Sequence, residues 1–424
     1  MSAITEADRG ERIATLDIIR GVAVMGIFGV NVIAFAMPFQ AYFNPSAYGM
    51  ESSRDLVLWF ATFVLIDGKM RGLFSLLFGA SMLLVIQRAE AGGRSPAAVH
   101  YNRMVWLLVL GAVHYYLIWF GDILTLYALV GMVAFFFRQM RVRALVLWGI
   151  GFLLIDFAMV GTISWQFFAA EAAARAPGAS ADALARWQSM AGEFSPPTAA
   201  RVAEDLALYR GPWTGIVHHQ VTEGLTGPLF QLGFGSIETL GYMLLGMAGL
   251  KSGFLRGVWH DGRYKRIALS TLGVSIPAYA ILAWINWRSG FDAAVFFCVF
   301  MAASAPFRLA MMCGYAALII LLSRHGGWLV QRIAAAGRAA FTNYLGASIV
   351  AGLVFYGYGL GLYGSLGRLE AWALAPIMWL LMLLWSKPWL DRYLYGPFEW
   401  LWRSLARRRL QPMRRLPALA ELPA

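Results

Sequence analysis

Long apolar runs alternate with short polar connectors along almost the whole chain. A helix needs roughly 20 mostly apolar residues to cross about 30 Å of hydrocarbon. Ten runs approach or exceed that length: residues 16 to 37, 57 to 87, 105 to 120, 123 to 137, 144 to 164, 229 to 250, 267 to 285, 292 to 322, 340 to 358 and 370 to 386. We therefore expect an all-α polytopic membrane protein of about ten transmembrane helices, forming a single transmembrane domain over residues 1–424.

Two of these runs are too long for one plain crossing. The run of residues 57 to 87 contains the polar stretch DGKMRG at residues 67 to 72, and the run of residues 292 to 322 contains Pro306 and Arg308. Irregular backbone at membrane depth survives only beside protein or a water-filled cavity. Each run is therefore predicted to be a broken helix or a crossing joined to an interfacial segment.

Basic residues between the runs indicate the orientation of the chain. Arginine and lysine cluster after the second, fourth, sixth and eighth runs and again in residues 387–424. Cytoplasmic loops carry the excess of basic residues in membrane proteins, so both termini are expected in the cytoplasm and residues 387–424 form a basic cytoplasmic tail. Residues 165–228, which include EAAARA and several prolines, are then a small helical extracytoplasmic insertion between spans five and six.

Composition supports a membrane protein and excludes other classes. Of the 424 residues 59% are hydrophobic and 14% charged, so the lipid bilayer is the expected surrounding partner. The net charge of +12 comes from short clusters with no basic stripe along a helix, so no nucleic-acid partner is expected. Cys298 and Cys313 lack metal-ligand spacing, and no phosphate loop or metal-binding motif is present, so no metal site is predicted.

Several ionisable side chains fall inside the apolar runs, where a charge is costly unless it faces a protein interior. With a rise of 1.5 Å per residue, His114 lies about 12 Å below Asp122, which stands at the outward turn between spans three and four. At comparable depth on other spans lie Asn31, Asp67, Lys69, Arg71 and Glu238. This shared depth predicts a polar cavity that opens outward.

Each of these residues also has a purely structural interpretation, which the sequence leaves open. His114 could be a neutral buried imidazole, and Asp122 could cap the helix that follows it. Lys69 and Arg71 could neutralise Asp67. The catalytic interpretation is that His114 acts as a general base, because histidine is the side chain most readily used in this way near neutral pH. A carboxylate that holds the imidazole ring raises its basicity.

The chain resembles the YeiB-like family of bacterial inner-membrane proteins, which is defined by a domain of unknown function. The motifs that carry the resemblance are LDIIRG at residues 16 to 21, NVIAFAMPFQAYFNPSAYG at 31 to 49, GKMRGLFSLLFGA at 68 to 80, HYYLIWFGDILTLYALVG at 114 to 131, GRAAFTNYL at 337 to 345 and GPFEWLWR at 396 to 403. This resemblance spans nearly the full chain and implies a location in the bacterial inner membrane.

At a greater distance, LDIIRG is similar to the opening of membrane acyltransferases of the acyltransferase-3 and heparan-glucosaminide acetyltransferase types. Those enzymes move an acyl group, commonly from cytoplasmic acyl-CoA, to an acceptor on the other side of the membrane. The similarity implies that Asp17 and Arg20 bind the donor, although a local ion pair at the helix start fits them equally. The chain departs from the acyltransferase-3 pattern at Asn31, which stands where those proteins have histidine.

Our leading hypothesis is a membrane acyltransferase-like enzyme with His114, Asp122 and Glu238 as catalytic residues. His114 would be the general base, oriented by Asp122 or Glu238, and Lys69 or Arg71 would stabilise the developing oxyanion. Acyl-CoA would be a co-substrate with no tightly bound cofactor, and the acceptor would be a hydroxyl or amine of a small molecule or glycan.

Two other functions stay open from the sequence. The same polar groups, with Asn31 and Asp67 among them, could bind a small anionic or amphiphilic solute in a transporter whose broken second and eighth spans move. A lipid-binding membrane protein without turnover is the third alternative, and a homodimer is compatible with all three.

Overall fold

The computed structural model describes residues 13–192 and 194–415, and these ranges form helices and turns without a β-strand. The first ten helices are α1 Ala14–Ala36, α2 Gln40–Phe43, α3 Ser53–Leu65, α4 Lys69–Ala91, α5 Pro96–Leu117, α6 Leu124–Ala134, α7 Val142–Arg175, α8 Ala181–Ala191, α9 Ala199–Tyr209 and α10 Trp213–Thr222. The others are α11 Gly227–Lys251, α12 Asp261–Arg288, α13 Ala293–Phe297, α14 Ala305–Ser323, α15 Trp328–Arg338, α16 Ala340–Phe355, α17 Arg368–Trp372, α18 Leu374–Arg392 and α19 Pro397–Ala406. The expected all-α class is confirmed.

Fewer helices qualify as membrane crossings than the ten that the apolar runs predict. Within the described ranges, six helical segments are long and apolar enough to cross a membrane, or seven if the bent pair α15 and α16 forms one span. The six are α1, α3 with α4, α7, α12, α14, and α17 with α18. Helices α5 and α11 are long enough but less apolar, because residues such as His100, Arg103 and Glu238 interrupt them, and α6 is short.

The two overlong apolar runs are broken, as the sequence predicts. Helix α3 ends at Leu65 and α4 begins at Lys69, and between them Gly68 takes a φ of +71°, a region that L side chains rarely adopt. In the other run, α13 continues into a π-helical turn at Cys298–Ala303 before α14 begins with Pro306 in its first turn. Proline fits a helix start because its missing N–H has no intrahelical partner there.

Helix α1 occupies the middle of the bundle, where it packs against α4, α14, α15, α16 and α18. Glycines let two further helices approach closely. A Cβ added to Gly246 on α11 would lie 1.8 Å from the carbonyl oxygen of Leu76 on α4, and one added to Gly79 on α4 would lie 2.1 Å from that of Met243. No side chain fits in either place, so α4 and α11 meet backbone to backbone.

The proposed extracytoplasmic insertion and the proposed tail are both folded where the structure describes them. Residues 165 to 175 continue the long helix α7, and α8, α9 and α10 complete the segment up to residue 228. Of the predicted tail, residues 387–415 comprise the end of α18, α19 and a return strand-like segment, while residues 416–424 lie outside the described ranges. Which side of the membrane either segment faces stays a prediction.

Candidate functional site

The histidine and aspartate that the sequence places eight residues apart form a buried pair. Nδ1 of His114, near the end of α5, lies 2.9 Å from Oδ1 of Asp122, and both side chains are almost completely buried. The second oxygen of Asp122 accepts from the backbone N–H of Thr125 at 2.8 Å, in the first turn of α6. Asp122 therefore caps α6 and orients the imidazole at the same time, so the two interpretations of this residue coexist.

The second ring nitrogen of His114, Nε2, has no hydrogen-bond partner in the described ranges. A carboxylate only accepts, so Nδ1 donates to Asp122 and Nε2 presents a lone pair. Across residues 13–192 and 194–415, neither Nε2 of His114 nor the nearby Nε1 of Trp119 has a hydrogen-bond partner, although both are buried. Their ring centroids are 6.3 Å apart. An acceptor and a donor thus stand close together without partners in one small region.

Aromatic side chains enclose this pair. Trp119 stacks on Phe35 of α1 with ring centroids 4.1 Å apart, and the ring of Tyr344 on α16 lies 5.1 Å from that of His114. The hydroxyl of Tyr344 donates to the carbonyl of Gly121 at 3.3 Å. Helix α16 is therefore attached to the turn that carries Asp122.

A narrow crevice with a volume of about 10 Å³, room for about one water molecule, follows one stripe of α1 and ends at this aromatic region. Its lining comes from α1, α16 and α18: Val24, Ile27, Phe28, Asn31, Phe35, Tyr344, Ala347, Ser348 and Met382. From Val24 to Phe35 the stripe extends about 16 Å along the helix axis. The walls are mostly apolar, and the polar groups Asn31 and Ser348 lie in the half nearer Phe35.

Arg20 precedes the crevice on the same stripe of α1, four residues before Val24. Its guanidinium donates to Asp17 at 3.1 Å, to the carbonyl of Gly337 at 3.4 Å and to the hydroxyl of Ser81. The local ion pair that the sequence left open is therefore present. It places a fixed positive charge at the end of the crevice away from His114.

Glu238 belongs to a different cluster, in which two arginines share its carboxylate. Arg71 of α4 donates to Oε2, and Arg308 of α14 donates to Oε1 at 2.5 Å. The hydroxyl of Tyr242 also donates to Oε1, at 2.9 Å. Arg308 holds the π-helical turn as well, since it donates to the carbonyl of Phe300 at 2.8 Å. Glu238 consequently makes no contact with His114.

Lys69 and Asp67 lie beside this cluster, at the break between α3 and α4. Lys69 is fully buried, donates to the carbonyl of Phe63, and places its ammonium 3.2 Å from the ring centroid of Tyr279. Asp67 is within electrostatic range of Lys69, Arg71 and Arg308. Three cations and two carboxylates thus compensate one another around the break.

A second cavity, a cleft with a volume of about 30 Å³, opens on the opposite face of α1. Gly29, Val30 and Ile33 form its α1 wall, whereas the crevice uses Asn31 and Phe35. Its other lining residues are Tyr42, Leu58, Trp59, Thr62, Phe63, Asp67, Arg368 and Trp372. Helix α1 therefore separates the polar groups that the sequence predicted in one cavity: His114, Asp122 and Asn31 lie toward one face, and the cluster around Asp67 toward the other.

Sequence reasoning missed four residues of these two sites. Trp119 lies between His114 and Asp122 in the motif HYYLIWFGDILTLYALVG, and Tyr344 lies in the motif GRAAFTNYL. Their position in these motifs is the sequence signal that could have identified them. Arg308 interrupts an apolar run, and an arginine at such depth requires a partner, which is the signal that could have identified it. Arg368 is 3% exposed and donates to the carbonyl of Ala41 at 2.7 Å, yet it follows an ordinary connector and carries no sequence signal.

Comparison with known proteins places the chain in a family. It is 32% identical to the uncharacterized protein YeiB of Escherichia coli (strain K12), across 95% of this chain and 98% of that protein. It is 30% identical to the uncharacterized protein YxaH of Bacillus subtilis (strain 168), across 97% and 98% of the two chains. The chain belongs to the YeiB family. This confirms the resemblance that the sequence motifs indicate.

Other comparisons add detail to the YeiB-family assignment. The family model described as a protein of unknown function (DUF418) matches residues 249–409, which run from the end of α11 through α19 and include Tyr344 but not His114. An uncharacterized 39.9 kDa protein of Bacillus acidopullulyticus is 24% identical across 95% of this chain and 96% of its own length. No solved structure matches the chain.

Proposed function

We propose that this YeiB-family protein is a membrane enzyme that moves an acyl group from an acyl-CoA-type thioester to a hydroxyl or amine acceptor, with His114 as the general base. The observation that carries the proposal is the orientation of its imidazole: Asp122 holds Nδ1 at 2.9 Å, and Nε2 is buried without a partner in the described chain. General bases in enzymes are commonly held in this way by a carboxylate.

The crevice supports the assignment of the two substrates. Its walls are apolar, as an acyl chain requires, and the side chains that line it would move apart to admit that chain. One end adjoins the Arg20 charge, and the other end adjoins Tyr344 and His114. The donor would enter from the Arg20 end, which the positive-inside rule assigns to the cytoplasm together with both termini. The acceptor, a small molecule or glycan, would reach His114 from the other side of a bacterial inner membrane.

In the transfer step, His114 accepts one proton from the acceptor and returns it to the leaving thiolate. Nε2 of His114 takes the proton of the acceptor hydroxyl as its oxygen attacks the thioester carbonyl carbon. The C–S bond then breaks, the acyl group stays on the acceptor oxygen, and the imidazolium returns the proton to the thiolate. Nε1 of Trp119 would donate a hydrogen bond to the carbonyl oxygen while negative charge develops there. Lys69 and Arg71 take no part, because other groups engage them.

The test compares two buried histidines on the same helix. Everted membrane vesicles that contain the protein are loaded inside with a mixture of hydroxyl and amine acceptors. Acyl-CoA of several chain lengths is then added outside, and acylated products are measured by mass spectrometry. His114→Gln should lower transfer by about 10²-fold or more, which is the usual contribution of a general base. His100→Gln, whose native ring bonds the carbonyl of Gly131 at 3.0 Å, should leave transfer within a few-fold of the wild type.

Two results would overturn this function. One is a folded His114→Gln protein that transfers acyl groups at the wild-type rate. The other is a wild-type protein that consumes no thioester with any donor and acceptor in the mixture.

A solute-binding or transport function is the second candidate, and the cleft on the opposite face of α1 favours it. Arg368 lines the cleft with its Nε unpartnered in the described chain, Asp67 lies in the same lining, and the break between α3 and α4 adjoins it. Arg368→Gln should then abolish uptake of a small anionic solute into proteoliposomes, whereas His114→Gln should not affect it. Equal uptake by both variants would exclude this function.

A further inference from the structure

The arginine-rich C-terminal segment forms an ordered cap. Residues 392–415 contain seven arginines and a single acidic residue, Glu399. After α19 the chain turns back, so that the N–H of Leu394 bonds the carbonyl of Met413 at 2.9 Å and the N–H of Arg415 bonds the carbonyl of Arg392 at 3.1 Å. The backbone of the cap is therefore held in place, and its positive charges have defined positions.

Glu399, the single acidic residue of the cap, accepts hydrogen bonds from the start of α16. Glu399 accepts from the backbone N–H groups of Phe341 and Thr342 at 2.7 and 3.1 Å, and from the Thr342 hydroxyl. These bonds satisfy donors in the first turn of α16, which otherwise have no intrahelical partner. Glu399 thus ties α19 to α16.

One arginine of α5 contacts the cap. The surface formed by Arg103, Trp402 and Arg407 is called the recess below. The guanidinium carbon of Arg103 lies 4.1 Å from the ring centroid of Trp402, and the indole N–H of Trp402 donates to the backbone carbonyl of Arg103 at 2.9 Å. Arg403 and Arg407 lie within electrostatic range of Arg103. Arg407 donates to Oε1 of Gln411 at 2.8 Å, and no acidic side chain in the described ranges forms an ion pair with Arg103 or Arg407. A bound anion would relieve the repulsion between these like charges.

The recess lies toward the same end of the bundle as Arg20. Arg20 bonds the carbonyl of Gly337, four residues before Phe341, and the ring of Phe341 lies 5.7 Å from that of Trp402. The cap therefore adjoins the entrance of the crevice along α1, at the end away from His114.

We propose that Arg103, Arg407 and Trp402 form a binding site for the phosphate groups of a nucleotide-type thioester donor. The inference rests on the proposed acyl transfer, for which it identifies the donor's anchoring site. Arginine suits phosphate because its planar fork donates two parallel charge-assisted hydrogen bonds. Trp402 contributes by fixing the guanidinium of Arg103 over its ring. An acyl chain bound along the crevice would then have its phosphates outside the bundle.

The test measures binding without turnover. The protein is placed in nanodiscs of zwitterionic lipid and titrated with coenzyme A and, separately, with adenosine 3′,5′-bisphosphate. The double variant Arg103→Gln/Arg407→Gln should raise the Kd of both probes by about tenfold or more. The control Arg409→Gln/Arg414→Gln removes two charges of the same cap that are not among those acting on Arg103, and it should change Kd less than about threefold. Equal weakening in both pairs, or no binding by the wild type, would refute the site.

A second measurement separates the donor from the membrane as the source of phosphate. Native mass spectrometry records how much phosphatidylglycerol stays bound to each variant. If Arg103→Gln/Arg407→Gln loses this lipid but binds coenzyme A like the wild type, the recess is a lipid site and the proposal is overturned. His114→Gln should bind coenzyme A with the wild-type Kd, so a failure of acyl transfer and a failure of the phosphate site give different results.

Discussion

Replacement of Asp122 by asparagine tests whether this side chain orients a base or only caps a helix. Each carboxylate oxygen accepts from one donor, Oδ1 from Nδ1 of His114 at 2.9 Å and Oδ2 from the N–H of Thr125 at 2.8 Å. Asparagine has nearly the same shape but offers one acceptor oxygen and one NH₂ group. The amide can therefore turn in two ways.

The two orientations differ in energy and in chemical consequence. If the NH₂ group faces Thr125, two donors meet in a buried place, which costs about 1–3 kcal/mol. If it faces His114, Nδ1 accepts, the imidazole proton moves to Nε2, and every hydrogen bond is kept. The second orientation should dominate by a factor of roughly 5–150, since each 1.4 kcal/mol is tenfold. Asp122→Asn should thus keep the fold while transfer falls about 10²–10⁴-fold.

The assay has three readouts. Thermal unfolding in mild detergent should shift by only a few degrees, and acyl transfer in vesicles should fall as stated. Nitrogen NMR of protein with labelled histidine should show the proton of His114 on Nε2 in the variant and on Nδ1 in the wild type. A folded Asp122→Asn protein with more than about a third of wild-type transfer would refute the role assigned to Asp122.

Three further predictions concern stability and are checked by thermal unfolding. Glu238→Gln leaves the buried Arg308 and the half-buried Arg71 without their carboxylate and should cost about 3–5 kcal/mol, a loss that adding Arg308→Gln should partly reverse. A single variant as stable as the wild type would contradict the ion cluster. Gly246→Ala puts a methyl group 1.8 Å from a carbonyl oxygen of α4 and should lower the free energy of unfolding by at least about 1–3 kcal/mol. The control Gly151→Ala, whose Cβ would meet no described atom within 4 Å, should be neutral or stabilising. Glu399→Ala removes the acceptor of two N–H groups in α16 and should cost about 1–3 kcal/mol; an unchanged midpoint would show that α19 does not hold α16.

Part of the fold could be predicted because two helix breaks coincide with polar residues or a proline inside an apolar run. The polar stretch at residues 67 to 72 and Pro306 marked two breaks, and both are present. The 80° bend between α15 and α16 was not predicted, because small residues such as Ala339 allow a bend without specifying one. The apolar runs predicted crossings at α5 and α11, but polar residues within these helices lower their average hydropathy below that of the six segments. Average hydropathy does not show whether a polar side chain such as Glu238 faces lipid or a charged partner.

The candidate site was only half predictable for a related reason. His114 and Asp122 stand out because each is costly in an apolar surrounding unless paired, so their presence alone called for an explanation. Whether Asp122 or Glu238 holds the imidazole depends on how helices rotate against each other, and shared depth does not determine rotation. Arg308, from a distant helix, resolves the choice by binding Glu238.

The sequence by itself determined that the chain is an all-helical membrane protein of the YeiB family and which side chains are too polar for their surroundings, because both follow from residue type and local order. Only the tertiary structure decided that α1 separates those side chains into two sites, that Asp122 orients His114, and that Arg103 meets the basic cap. Such contacts join residues far apart in the chain, and they depend on helix packing that no local pattern specifies.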